Sequence, residues 1–135
     1  MTAVVVDSNV ILDTILGEPP WSEWSAQRLQ ELGASTRLVV NAVIFAEISV
    51  GFPTIDDVER ALAGPYFERE AIPFDAAFLA GKAYRAYRRR GGERRSPLPD
   101  FFIGAHAVVA GYRLLTRDAG RYRHYFPTLA LIAPD

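Results

Sequence analysis

Hydrophobic residues occur along the chain in two patterns, short apolar runs and longer stretches with helical spacing. Residues 3–6 are apolar on both faces and rich in valine, as expected of a strand buried in a parallel sheet. Similar short runs predict further strands at residues 37–40, 70–73, 113–116 and 129–133. The chain is therefore expected to contribute five strands.

The segments between these strands carry helix signals. Four apolar residues between positions 21 and 32 fall on one side of a helix that a proline pair opens. Further helices are predicted from about residue 9 and over residues 42–50, 55–63, 76–90, 101–110 and 120–125. Asn41, Thr54 and Asp75 stand before three of them as predicted N-caps. Strands that alternate with helices indicate an α/β/α sandwich with a mainly parallel sheet.

Length and composition limit the number of domains. The 135 residues, half of them hydrophobic, suffice for one substantial core and are too few for two ordinary domains, so residues 1–135 are expected to form a single domain. No apolar run approaches the ~20 residues of a membrane helix, and no basic leader precedes an apolar run. We therefore expect a soluble, cytoplasmic protein. The absence of cysteine excludes disulfides and thiolate metal sites.

Four acidic residues stand out by position. Asp7 and Asp118 each follow a predicted strand, and Asp100 opens a predicted helix. Helix capping explains each of these three when it is viewed alone. Glu47 interrupts an apolar helix, where a carboxylate needs a partner or a metal unless it lies at one exposed position. Because a parallel sheet brings strand ends to one edge, we expect the four to converge.

Four converging carboxylates would repel one another by something like 4 kcal/mol for each close pair at an effective dielectric of about 20. Divalent cations remove that repulsion. With oxygen ligands only, and neither cysteine nor a well-placed histidine pair, the predicted cofactor is Mg²⁺ or Mn²⁺ rather than Zn²⁺. Two such ions could activate a water, stabilise a leaving oxygen and balance the charge of a bridging phosphate.

Four segments together resemble the PIN domain family, and within it the VapC-type toxins of toxin–antitoxin pairs. They are VVVDSNVILD at residues 4–13, AEISVG at 46–51, PDFFIGAHAVVAGYRLLTRD at 99–118 and AGRYRHYFPTLALIAP at 119–134. Their order and spacing cover nearly the whole chain. The resemblance therefore carries more weight than any one of these motifs.

The resemblance implies an Mg²⁺-dependent endoribonuclease, with Mn²⁺ as a substitute, that a cognate antitoxin silences. By position, the four family acids match Asp7, Glu47, Asp100 and Asp118, as catalytic residues and metal ligands. Asn9 and Thr116 fall at polar positions that line the same site in the family, and Ser8 is a small polar residue beside the first acid. We expect these three to support the site, with capping or turn hydrogen bonds as an equally good explanation. A homodimer is likewise implied by resemblance alone.

A basic segment follows the middle of the chain. Seven basic residues and one acid lie between positions 82 and 95, although the net charge of the whole chain is −1. Without the four site acids, 15 basic and 12 acidic residues remain. An RNA-backbone contact surface and an ordinary solvated helix face explain this segment equally well. The candidate RNA-binding residues are Lys82, Arg85, Arg89, Arg94 and Arg95.

Trp21 and Trp24 are interpreted either as core residues or, if partly exposed, as anchors for an apolar antitoxin segment. Three other functions remain open: a PIN nuclease of RNA processing, a PIN nuclease acting on DNA, and a PIN-like module that binds RNA or a partner without cutting. An aspartyl phosphotransferase is disfavoured, because Asn9 stands where its second acid is expected and the only lysine is Lys82.

Overall fold

The computed structural model describes residues 2–64, 66–92 and 97–134. Within these ranges the chain forms one five-stranded sheet with the order β3-β2-β1-β4-β5, and every neighbouring pair is parallel. The strands are β1 Ala3–Val6, β2 Arg37–Val40, β3 Phe67–Arg69, β4 Arg113–Leu115 and β5 Leu131–Ile132. The predicted α/β/α sandwich is confirmed, and the sheet is parallel throughout.

Seven helices flank the sheet within the described ranges. They are α1 Ser8–Leu16, α2 Ser22–Gly33, α3 Ala42–Ser49, α4 Ile55–Ala61, α5 Phe74–Arg89, α6 Leu98–Ala110 and α7 Gly120–Tyr125. The chain moves outward from β1 through β2 to β3 and then returns to β4 on the other side of β1. Right-handed crossovers therefore place α1 to α4 on one face and α5 to α7 on the other. None of the described helices is long and apolar enough to span a membrane.

The core is centred on β1, the middle strand. Val4, Val5 and Val6 are fully buried, because helices cover both faces of the sheet and β-branched side chains pack well there. On the second face, Gly104 of α6 lies against α7. A Cβ at this position would lie 2.6 Å from a ring carbon of Phe126, so only glycine allows α6 to approach so closely.

The third strand was placed wrongly at residues 70–73. The structure has β3 at Phe67–Arg69, where Phe67 pairs in register with Leu38. The apolar residues Ile72 and Pro73 have the sequence pattern of a strand, but Pro73 is extended because it precedes α5 as its N-cap residue. Asp75 consequently lies in the first turn of α5 and does not cap it.

The sixth helix begins earlier than predicted, at Leu98 and not at residue 101. Proline is accepted in a first helical turn, where its missing N–H has no helical partner to lose, and Pro99 lies there. Asp100 is therefore a first-turn residue of α6.

The polar residue Asn41 joins the two helix layers at the end of β2. Its side-chain oxygen accepts a hydrogen bond of 3.0 Å from the N–H of Ile44, which confirms the predicted cap of α3. Its Nδ2 lies 3.0 Å from Nδ1 of the buried His106 on α6. Because Nδ2 is a donor, Nδ1 of His106 must accept, and the neutral ring carries its proton on Nε2. This contact fixes the start of α3, the helix that carries Glu47.

Candidate active site

The candidate site lies at the carboxyl ends of the two central strands. Asp7 directly follows β1 and caps α1, and Thr116 directly follows β4, which pairs with β1. Crevices outside the carboxyl ends of parallel strands are where open α/β sheets bind ligands. Both residues are buried, with exposed fractions of 3% for Asp7 and 0% for Thr116.

The carboxylate of Asp7 is surrounded by hydrogen-bond donors. The N–H of Ser8 donates to Oδ1 at 2.8 Å, and the hydroxyls of Thr116 and Tyr122 both donate to Oδ2 at 2.9 Å. Asn9 adds a longer contact of 3.4 Å to the same oxygen. Burial nevertheless raises the pKa of Asp7 to about 6, although Thr116 and Tyr122 lower it. The environment orients this carboxylate more than it stabilises its charge.

Ser8 connects the first acid to the second. Its hydroxyl donates a hydrogen bond of 2.8 Å to Oε1 of Glu47 on α3, while its N–H binds Asp7. Burial raises the pKa of Glu47, the Ser8 hydroxyl lowers it, and the negative charges of Asp7 and Asp100 raise it further. Ser8 therefore holds two of the predicted acids in one cluster.

Asp100 on α6 and Asp118 after β4 complete the set of acids. Burial raises the pKa of Asp100, the Arg121 guanidinium opposes this, and the charge of Asp118 raises it again. Nη1 of Arg121 donates to Oδ2 of Asp100 at 2.5 Å. Asp118 is exposed, and its N–H donates to the hydroxyl of Thr116 at 3.1 Å, one step from Asp7. The topology thus brings all four acids to one neighbourhood.

The donor chemistry of this neighbourhood fits Mg²⁺ or Mn²⁺. The acids offer carboxylate oxygens only, the ligands that these hard cations prefer. The charge of Asp100 raises the pKa of both Asp7 and Glu47, a repulsion that a divalent cation would relieve. Across residues 2–64, 66–92 and 97–134, however, no three acidic or histidine side chains are arranged to hold one metal ion together. The predicted coordination set stays a prediction.

Two residues of this neighbourhood, Tyr122 and Arg121, were missed by sequence reasoning. Burial raises the pKa of Tyr122 well above its usual value, and the charges of Asp7, Asp100 and Glu47 raise it further. This hydroxyl therefore remains a donor and lies among three of the four acids. The only sequence signal for both residues was their place in a short helix directly after Asp118.

Three of the five predicted RNA-binding residues lie on the face of α5 that points to solvent. Lys82, Arg85 and Arg89 are all exposed, whereas Ala76, Ala80 and Ala83 of the same helix are buried. Arg94 and Arg95 lie outside the described residues. The predicted basic face of α5 is therefore present.

The tryptophans predicted as antitoxin anchors lie at the start of α2. Trp21 is 36% exposed, and Trp24 is partly buried against the core. Their rings meet edge to face with centroids 6.4 Å apart. The condition of partial exposure is met, so the anchor interpretation stays open.

The family model of the PIN domain matches residues 4–127. The chain belongs to the PIN domain family. PIN domains are generally nucleases and generally use divalent metal ions. The match confirms the family resemblance, and it includes all four acids of this PIN domain.

Solved structures share the fold at low sequence identity. VapBC2 from Rickettsia felis, bound to a DNA fragment from its promoter, matches with a TM-score of 0.75 and 16% identity over 99% of this chain and 100% of that chain. A toxin–antitoxin complex from Klebsiella pneumoniae matches with a TM-score of 0.71 and 20% sequence identity, over 98% of each chain. VapBC-1 from nontypeable Haemophilus influenzae matches with a TM-score of 0.73 and 19% sequence identity, also over 98% of each chain. A search of the curated proteins found no match.

Proposed function

We propose that this PIN domain is an Mg²⁺-dependent endoribonuclease that acts as the toxin of a toxin–antitoxin pair. One observation carries the nuclease assignment: the buried Asp7, at the end of the central strand, is oriented by two hydroxyl donors among three further acids. Such a cluster destabilises the fold unless a cation binds there, so a metal-dependent reaction explains its presence better than a structural role.

Each residue of the site has a proposed role. Asp7, Glu47, Asp100 and Asp118 would hold the metal, with Mn²⁺ as a substitute for Mg²⁺. The bound ion would supply a nucleophilic water at neutral pH and balance the charge of the scissile phosphate. Thr116 and Tyr122 orient Asp7, and Ser8 orients Glu47.

Asn9 supports the same end of the site. Its Nδ2 lies 3.3 Å from the hydroxyl of Thr116, and its Oδ1 accepts from the N–H of Arg117 at 3.3 Å. It therefore ties the start of α1 to the loop that carries Asp118. In the proposed enzyme this contact keeps Asp118 beside Asp7.

The proposed partners are RNA and an antitoxin. The exposed basic residues Lys82, Arg85 and Arg89 suit a phosphate backbone, because they carry three positive charges along the solvent side of α5. The edge-to-face pair of Trp21 and Trp24 offers aromatic anchors for an antitoxin segment. Toxin–antitoxin complexes among the structural neighbours support this assignment. A cytoplasmic homodimer is part of the same proposal.

Cleavage of RNA by the purified chain tests the nuclease. The reaction is run with Mg²⁺ and with excess EDTA, and with the variants Asp7→Asn and Asp100→Asn. Glu18→Gln serves as the control, since Glu18 is an exposed acid between α1 and α2. We expect cleavage only with metal, in the unmodified chain and in the control. Cutting that survives in EDTA and in both site variants would contradict the proposal.

The same assay separates the alternatives. A non-catalytic module that binds RNA is the second candidate, since the exposed basic face of α5 would serve binding with or without cleavage. Binding of RNA without cutting, in every metal tested, would support that module. Cleavage of single-stranded DNA in preference to RNA would identify a DNA nuclease.

A further inference from the structure

The basic residue Arg121 contacts the acid cluster from the first turn of α7. Its guanidinium pairs with Oδ2 of Asp100 at 2.5 Å, and the two side chains are 39% and 30% exposed. Among the described residues, no other basic side chain forms an ion pair with any of the four acids. Within the part of the chain that the structure describes, Arg121 is thus the one basic residue paired with the cluster, and it binds a proposed metal ligand.

The guanidinium binds Oδ2 of Asp100 and therefore competes with a metal ion for the charge of this carboxylate. A carboxylate oxygen that accepts a short, charged hydrogen bond presents less of its charge to a second cation, and two cations on one oxygen repel each other. Asp100 is therefore expected to bind a metal ion more strongly once Arg121 releases Oδ2.

Arg121 also contacts an aromatic ring outside the acid cluster. Its guanidinium carbon lies 6.0 Å from the ring centre of Tyr87 on α5, a cation–π contact. Arg90, at the end of α5, contacts His124 of α7, so α7 adjoins the basic end of α5. The released guanidinium would stay between the acids and this basic face, where a phosphate of bound RNA passes if the proposed function is correct.

We propose that Arg121 exchanges partners during the proposed reaction: it pairs with Asp100 until a divalent cation binds, and then binds an RNA phosphate. The planar guanidinium suits both partners, since it forms paired hydrogen bonds with carboxylates and phosphates alike. Arg121 is thus a positioning residue toward the metal and a substrate contact toward RNA. This inference rests on the proposed function.

Metal affinity without RNA is the first test. Mn²⁺ binding to the full chain is measured by the loss of the free-ion signal in electron paramagnetic resonance. The variants are Arg121→Gln and Arg121→Lys, and Arg123→Gln is the matched control, because it removes one positive charge from an exposed residue of the same helix. We expect Arg121→Gln to bind Mn²⁺ about two- to fivefold more tightly than the control, and Arg121→Lys to stay near the unmodified chain. Equal or weaker binding by Arg121→Gln would overturn the competition.

RNA affinity in the presence of Mn²⁺ is the second test, measured by fluorescence anisotropy on an oligonucleotide that a gel shows to be intact afterwards. We expect Arg121→Gln to bind RNA more weakly than the Arg123→Gln control, opposite in sign to its effect on the metal. If Arg121 had a purely structural role, Arg121→Gln would weaken both Mn²⁺ binding and RNA binding. Tighter metal binding with unchanged RNA binding would overturn the transfer to phosphate.

A measurement on the unmodified chain covers the case in which a variant does not fold. The side-chain Nε signal of Arg121 in a ¹⁵N spectrum is expected to shift as Mg²⁺ fills the site, and a signal that does not move would overturn the exchange. If neither the unmodified chain nor any variant binds a divalent cation, the proposed function itself fails. If the unmodified chain binds metal and cleaves RNA while Arg121→Gln matches its control, only this inference fails.

Discussion

The hydroxyl of Tyr122 donates a hydrogen bond of 2.9 Å to Oδ2 of Asp7, and both side chains are buried. The two residues are 115 positions apart in the chain. This contact ties the last helix to the end of the first strand. It also gives the buried carboxylate a donor that stays protonated, because burial and the surrounding acids raise the pKa of Tyr122.

Replacing Tyr122 by phenylalanine removes that donor and keeps the ring. We expect the free energy of unfolding at pH 8 to fall by about 1.5–3 kcal/mol, the usual contribution of a hydrogen bond to a charged group. The difference should shrink at pH 4.5, where Asp7 binds a proton. Urea unfolding at the two pH values measures it. Tyr125→Phe, on the same helix, is the control, and an equal loss in both variants would contradict the assignment.

Asp7→Asn should make the chain more stable at neutral pH in EDTA. The pKa of Asp7 is raised from 3.8 to about 6 in the folded chain, so the unfolded chain releases this proton first as the pH rises. Stability from this group is complete below pH 3.8 and is lost as the pH rises through about 6. This rise in the pKa of Asp7 corresponds to a loss of roughly 3 kcal/mol of folding stability above pH 6.

Unfolding of the unmodified chain and of Asp7→Asn, followed from pH 4 to 7, checks this prediction. As the pH rises from 4 to 7, the free energy of unfolding of Asp7→Asn should increase relative to that of the unmodified chain. Added Mg²⁺ should reduce this difference in stability. A difference in stability that does not change with pH would show that burial does not penalise this carboxylate.

His106 gives the opposite dependence on pH. Burial lowers its pKa from 6.5, although Glu70, with Oε1 3.6 Å from Nε2, opposes this. The unfolded chain therefore takes up the proton first as the pH falls. The contribution of His106 to stability is complete above 6.5 and is lost as the pH drops toward the folded pKa. His106→Asn keeps an acceptor for Asn41 and cannot titrate, so unfolding of this variant should lack that loss.

Most of the fold could be predicted because the strands of a two-sided sheet are apolar throughout. β1 shows this in residues 3–6, and the acids at strand ends follow from the same topology. The position of β3 was predicted wrongly because this strand has only three residues and lies at the edge of the sheet, where Glu68 and Arg69 are polar. Tyr122 and Arg121 could not be predicted as site residues, since their contacts depend on how α7 packs against α6.

Replacement by alanine should have opposite effects on stability at two glycines, one packed between α6 and α7 and one in open space on α5. Gly104→Ala places a Cβ 2.6 Å from the Phe126 ring and should destabilise the chain by about 1–3 kcal/mol. A Cβ at Gly81, in the middle of α5, would meet no neighbouring atom within 4 Å, so Gly81→Ala should stabilise the helix by about 0.5–1 kcal/mol. Urea unfolding of the two variants measures both. Equal effects of one sign would contradict the close approach.

The basic face of α5 is tested through the salt dependence of RNA binding. The double variant Arg85→Glu and Arg89→Glu should bind RNA more weakly, and its affinity should depend less steeply on salt, because each lost phosphate contact lowers the slope of log K against log salt by about 0.7 for a single strand. Arg60→Glu, a single charge reversal, is the control for a change of charge elsewhere, since Arg60 is an exposed basic residue on α4, in the other helix layer. Equal slopes for the double variant and the unmodified chain would mean that the face is only solvated. A reduced slope in the double variant, with the control unchanged, would assign the phosphate contacts to α5.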